Sequence, residues 1–219
     1  MTITPESARE LIESDDYGDR IKGLNQLRQL DVAPAFELVQ IAIKDSNTRV
    51  RYAAVSQFDT LGKQDLKLSL ELLRDRLIND PEVDVKAAAA DAIAALKLTD
   101  AFADLEQAFE KTSEWLLQFS ILAALGEMGD PRAFELLAQA LKSDNNLLQT
   151  AAIGSLGELG NEEAIPLLIP FAENPDWQIR HRLAQALVNI GGENAESKST
   201  LEKLANDEVE LVAQEAKRI

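Results

Sequence analysis

One helical pattern recurs along the chain about every 31 residues. Its clearest copies are Asp45-Ser46-Asn47-Thr48-Arg49-Val50-Arg51-Tyr52-Ala53-Ala54 and Asp80-Pro81-Glu82-Val83-Asp84-Val85-Lys86-Ala87-Ala88-Ala89. Further copies stand at Trp115-Leu116-Leu117-Gln118, Asn146-Leu147-Leu148-Gln149, Trp177-Gln178-Ile179-Arg180 and Val209-Glu210-Leu211-Val212. Their apolar anchors are Val50, Val85, Leu117, Leu148, Ile179 and Leu211, with spacings of 35, 32, 31, 31 and 32. A weaker copy surrounds Arg20-Ile21-Lys22 and makes seven. One such unit cannot bury its apolar face alone, so units of this length stack into a helical solenoid.

The expected fold is therefore all-α: an α-solenoid of six to seven helical hairpins, forming one domain over residues 1–219. Residues 1–31 read as a weak capping repeat, 32–192 as the repeats and 193–219 as a terminal repeat. In each unit a helix A precedes a helix B that begins at the anchor segment. Helix A is expected at 35–43, 66–78, 101–109, 132–141, 164–172 and 198–205, from apolar residues at helical spacing. Gly62, Gly129, Gly160 and Gly191 follow the B helices and read as left-handed stops. Asp130-Pro131 reads as a cap followed by a first-turn proline. Pro170 should kink or end its helix. Residues 191–200 are polar and glycine-bearing and read as a loose loop.

Composition narrows the chemistry. The chain has no cysteine and one histidine, His181, which removes thiolate nucleophiles, disulfides and any metal site needing two imidazoles. The formal net charge of -16 repels a polyanion such as DNA. No apolar run reaches the ~18 residues of a membrane span, and the first residues lack the basic and apolar regions of a signal peptide. A soluble cytoplasmic protein is expected, without membrane insertion, nucleic acid or a cofactor of its own.

Two rows flank the anchors and share a helix face, being four residues apart. Thr48, Val83, Trp115, Asn146 and Trp177 form the first; Tyr52, Ala87, Phe119, Thr150 and His181 form the second. If the B helices line a concave side, Tyr52, Trp115, Phe119, Trp177 and His181 face the groove and offer rings for a planar ligand or a partner. The alternative is that these rings cover the ends of the inter-helix core. His181 is either a general base or a surface histidine. A third row, Arg51, Lys86, Gln118, Gln149 and Arg180, runs beside these. Arg51 and Arg180 either hold ligand carboxylates through a bidentate fork or pair internally with acids such as Asp45, Asp80, Asp144 and Asp176. No phosphate loop, dinucleotide fingerprint or metal motif is present, and no catalytic residue is assigned.

The units Gly129-Asp130-Pro131-Arg132-Ala133-Phe134-Glu135-Leu136-Leu137 and Gly160-Asn161-Glu162-Glu163-Ala164-Ile165-Pro166-Leu167-Leu168, with Asp176-Trp177-Gln178-Ile179-Arg180-His181-Arg182-Leu183-Ala184, resemble the short HEAT-like repeat of the phycobilin lyase family. The resemblance covers nearly the whole chain. It implies a protein that acts on phycobiliproteins, such as phycocyanin and allophycocyanin, during nutrient-stress bleaching. It further implies a phycocyanobilin-type bilin as ligand, help in detaching that chromophore, and a place near the photosynthetic membrane. Three classes of function stand open: a bilin-detaching or bilin-transferring lyase, an adaptor without chemistry, and a scaffold or assembly factor for other clients.

Overall fold

A computed structural model describes residues 2–191 and 194–218. Among them every regular element is helical, as the repeat requires, and the chain is an α-solenoid. It divides into two compact units, residues 1–120 and 121–219.

The first unit holds α1 (Pro5–Ile12), α2 (Tyr17–Gln26), α3 (Val32–Ala42), α4 (Thr48–Val55), α5 (Phe58–Leu61), α6 (Leu66–Asn79), α7 (Val83–Ala95), α8 (Phe102–Lys111) and the first turns of α9 (Trp115–Met128). Helices α2, α4 and α7 pack in series as the B layer, and α1, α3, α6 and α8 cover them as the A layer. The second unit holds the rest of α9, then α10 (Phe134–Ala140), α11 (Asn146–Leu159), α12 (Ile165–Leu168), α13 (Trp177–Ile190), α14 (Ala195–Leu204) and α15 (Glu210–Ala216). Here α11, α13 and α15 form the B layer. Val50, Val85, Ile179 and Leu183 are fully or almost fully buried between the layers. Burying each such side chain stabilises the fold by about 1.5–3 kcal/mol.

Helices α4, α11 and α13 start from a pair of side-chain caps two residues apart, whereas α7 and α15 have one such cap, from Asp80 and Asp207. Asp45 accepts from the backbone N–H of Asn47, and Asn47 accepts from that of Arg49. Ser143 and Asn145 repeat the arrangement before α11, and Asn174 and Asp176 before α13. These caps satisfy N–H groups that a helix start leaves orphaned. Asp207, the cap before α15, accepts from Val209. That cap corrects the register of the last repeat. Val212, five residues after Asp207, is the buried anchor, whereas Leu211 is exposed.

The expected helix ends hold in part. Gly129, Gly160 and Gly191 take φ of 72°, 70° and 68°. Gly62 does not: its φ is -63°. A Cβ there would lie 2.7 Å from Leu96 Cδ1 and 2.9 Å from Ser69 Oγ, and Ser69 Oγ donates to the Gly62 carbonyl at 2.9 Å. Glycine is needed at that position for close approach rather than for handedness. The left-handed stop after α7 falls instead on Lys97, φ 54°. Asp130 caps a short turn that opens with Pro131. Pro170 ends the α-helical hydrogen bonding of α12, and a 3-10 turn continues over Ile169–Glu173. Much of the stretch expected as a loop is helix, because Asn194 caps α14 through the N–H groups of Glu196 and Ser197. Residues 192 and 193, where that loop and a repeat boundary were placed, lie outside the described residues.

Candidate functional site

The third row resolves into a ladder of staples between successive repeats. Arg51 Nε and Nη2 grip both oxygens of Asp80 at 2.8 and 3.0 Å, while Nη1 donates to the carbonyls of Asp45 and Ser46. Arg180 repeats this with Asp207 at 2.7 and 2.9 Å and the carbonyls of Asn174 and Pro175. Arg20 repeats it in part: Nη2 donates to Asp45 at 3.1 Å and Nη1 to the carbonyls of Ser14 and Asp15, while Nε lies 2.6 Å from the other Asp45 oxygen without hydrogen-bond geometry. Each aspartate is also the cap of the next B helix, so one carboxylate both starts a helix and joins two repeats.

The sequence covaries with this geometry. Where the next cap is Thr112, Ser143 or Asn174, the ladder residue is Lys86, Gln118 or Gln149. Lys86 Nζ, Gln118 Nε2 and Gln149 Nε2 then donate to the carbonyls of Ile78, Thr112 and Leu141.

Burial alone would raise the Asp80 carboxyl. The Arg51 hydrogen bonds, the Glu82 N–H and the charges of Arg51 and Arg76 outweigh it and hold Asp80 below the usual carboxylate range. The Asp207 carboxyl is likewise lowered, chiefly by its hydrogen bonds from Arg180. The aspartates in turn raise the Arg51 and Arg180 guanidinium groups. Arg51 and Arg180 are buried and face inward, so the structure removes both from the exposed helix face on which a ligand carboxylate was expected to meet them.

Burying Arg51 and Arg180 also turns the free faces of α4 and α13, while Lys86, Gln118 and Gln149 stay partly exposed. Successive residues on a helix are about 100° apart. With Val50 and Arg51 both buried, the centre of the buried arc lies about half a residue beyond the anchor. The opposite, open arc of α4 and α13 therefore moves toward the residue before the anchor, Arg49 and Gln178, and both are exposed.

Arg49, with Asp84 and Leu116 one residue before the anchors of α7 and α9, lines a cleft of about 460 Å³ in the first unit. Thr48, Arg49 and Tyr52 of α4 form one side, Asp84 and Asp91 of α7 and the small Ala87 and Ala88 the base, and Leu116 and Ser120 of α9 the other side. Of the expected groove residues in this unit, Tyr52 lines the cleft. Trp115 is half-exposed and Phe119 partly buried on α9, but Leu116 and Ser120 are the residues that α9 presents to the cleft. Trp177 is exposed and His181 partly buried on the first turns of α13, in the second unit. Among the described residues Arg49 makes no side-chain hydrogen bond or ion pair, in contrast with Arg51 two residues on.

Asp84, Asp91 and Leu116 lie off the two rows that flank each anchor by two residues, so those rows do not reach them. The signal was available: Asp84 and Asp91 are seven residues apart, two turns of one helix face, with alanines between. The cleft thus offers a phenol, an uncommitted guanidinium and two carboxylates around an alanine floor. Among the described residues no cluster of three or more histidine or acidic side chains is placed to hold a metal ion, and no helix is long and apolar enough to cross a membrane.

The HEAT-repeat family pattern matches residues 70–155 and 135–218, and the chain belongs to the HEAT-repeat proteins. No curated protein matches it in sequence. Among solved structures it is similar to the complex of CpcE and CpcF of phycocyanin lyase from Nostoc sp. PCC7120, with 21% identity, 98% of this chain and 93% of that one covered, and a TM-score of 0.64. It is also similar to an archaeal HEAT-like repeats protein from Thermococcus onnurineus NA1, with 14% identity, 100% and 96% covered, and a TM-score of 0.58. An engineered protein matches at 17% identity over 98% of this chain and 67% of that one, with a TM-score of 0.62.

Proposed function

We propose that this chain binds phycobiliproteins and assists release of their covalently bound bilin, as a phycobilisome degradation protein of the non-bleaching B type. The observation that carries the reading is the cleft of the first unit, which joins the uncommitted Arg49 to Tyr52, Asp84 and Asp91. The whole-chain likeness to a phycocyanin lyase complex supports it. A bilin is a conjugated tetrapyrrole with two propionates and several ring N–H groups. Arg49 suits a propionate, Tyr52 suits the π-face, and the two aspartates suit ring N–H donors.

Detachment of a thioether-linked bilin is an elimination. The C–S bond breaks and its electron pair leaves on the client cysteine's sulfur. A proton leaves the neighbouring carbon, and a C=C bond forms between the two carbons. A cleft carboxylate takes that proton and returns it to the thiolate, so no oxidant or reductant is needed. Binding the strained bilin more tightly than the relaxed one lowers the barrier.

Phycocyanin and allophycocyanin are incubated with stoichiometric protein while visible absorption is followed and covalent bilin is read on a denaturing gel. Loss of covalent colour that Asp84→Asn with Asp91→Asn abolishes supports the lyase reading. Co-elution with unchanged covalent colour replaces it with an adaptor. Neither loss nor co-elution overturns both.

A further inference from the structure

The second unit carries a separate surface that the cleft chemistry does not use. Leu147, Trp177 and Leu211 stand on the first turns of α11, α13 and α15, and are 50%, 38% and 54% exposed. These three helices are consecutive neighbours in one layer. Leu147 and Leu211 share one register position and Trp177 lies one residue away from it. The three therefore make a short apolar row across the layer, where exposed large side chains mark an interaction surface.

Two properties of the row select its occupant. Packed helices lie about 8–10 Å apart, so the three side chains recur at about that interval. A helix laid across them presents residues i, i+7 and i+14 on one face at intervals of about 10.5 Å. A strand at about 3.3 Å per residue repeats one face every two residues, near 6.6 and 13 Å, and misses the interval. The rim is acidic: Asp144 and Glu208 precede α11 and α15 and are exposed. The chain as a whole carries 38 acidic against 22 basic residues. Lysine or arginine flanking the apolar face complements that rim, and an anionic lipid surface does not.

We infer that Leu147, Trp177 and Leu211 form a docking surface for a partner protein's amphipathic helix, with large apolar residues at heptad spacing and basic residues beside them.

The test uses the full chain carrying Trp115→Phe, so that Trp177 is the single tryptophan and is excited selectively over Tyr17 and Tyr52. The probe is a 21-residue peptide with leucines at heptad spacing flanked by lysines. A saturable blue shift of Trp177 emission is expected, weakened on the order of tenfold or more by Leu147→Glu or Leu211→Glu, as for loss of a central apolar anchor. Both substitutions are on exposed positions, and circular dichroism verifies that helix content is kept. Two control peptides accompany it, one with the leucines at period two and one with glutamate in place of lysine. Equal binding of either control, no shift with the heptad peptide, or retained affinity in the Leu147→Glu/Leu211→Glu protein overturns the inference. None of these outcomes bears on chromophore release by the first unit.

Discussion

Arg51 and Asp80 are joined through both carboxylate oxygens, and the Asp80 side chain is fully out of solvent. The same aspartate accepts from the N–H of Glu82 and from Arg76. One residue thus fastens α4 to the start of α7. Removing Arg51 leaves a buried carboxylate short of its main partner, which costs about 3–5 kcal/mol. Arg51→Ala is expected to lower stability by about that much in urea unfolding at pH 7. Arg49→Ala, two residues away with an unbonded guanidinium, is expected to stay within about 0.5 kcal/mol of the parent.

The pH dependence follows in sign. Asp80 and Asp207 have carboxyls held below their ordinary range when folded. The stability they contribute is fully present above the unfolded carboxylate value near ~3.9 and is lost as pH falls through the lower folded values. Melting temperature is expected to be level from pH 7 to 5 and to fall steeply below pH 4. Asp207→Asn should melt lower at neutral pH and show a shallower acid limb. An equally steep limb in that variant would place the acid sensitivity elsewhere.

The ladder is transferable. Gln149 and Asn174 occupy the positions of Arg180 and Asp207 one repeat earlier. Gln149→Arg with Asn174→Asp is expected to show a favourable coupling of about 1 kcal/mol or more in a double-mutant cycle. Additive single effects would mean that the staple does not form there.

Close helix approach sets a further test. A Cβ on Gly157 would lie 2.5 Å from Ala186 Cα and 2.7 Å from its Cβ, where α11 meets α13. Gly157→Ala is expected to destabilise by about 1–3 kcal/mol through overpacking, read from chemical denaturation. Gly154→Ala, whose nearest neighbour is the Arg182 side chain at 3.1 Å, should cost less.

In the cleft, Arg49→Glu is expected to weaken binding of free bilin by about tenfold, the equivalent of one lost charge-assisted contact of ~1.4 kcal/mol. Absorbance titration gives the affinity and a thermal melt the fold. Undiminished affinity would remove Arg49 from the ligand site.

Much of this was written in the chain. The repeat period gave the helical hairpins, and Gly129, Gly160, Gly191, Asp130-Pro131 and Pro170 set their ends as local chemistry dictates. Those are near-neighbour effects, decided by a residue's own backbone preferences and by side chains two to four positions away. What local sequence did not decide was how each helix is turned. Gly62 is constrained by Leu96 and Ser69, 34 and 7 residues on, not by its own φ. Leu211 passes for an anchor until Asp207 fixes Val212 in that place. The pairing of Arg51 with Asp80 spans 29 residues, and by burying the residue after the anchor it turns Arg49 of α4 toward the cleft. The sequence by itself determined that B helices exist and where they begin. Only packing between neighbouring repeats decided which arc stays open, because the buried arc of a helix is set by everything that touches it and not by its most apolar residue.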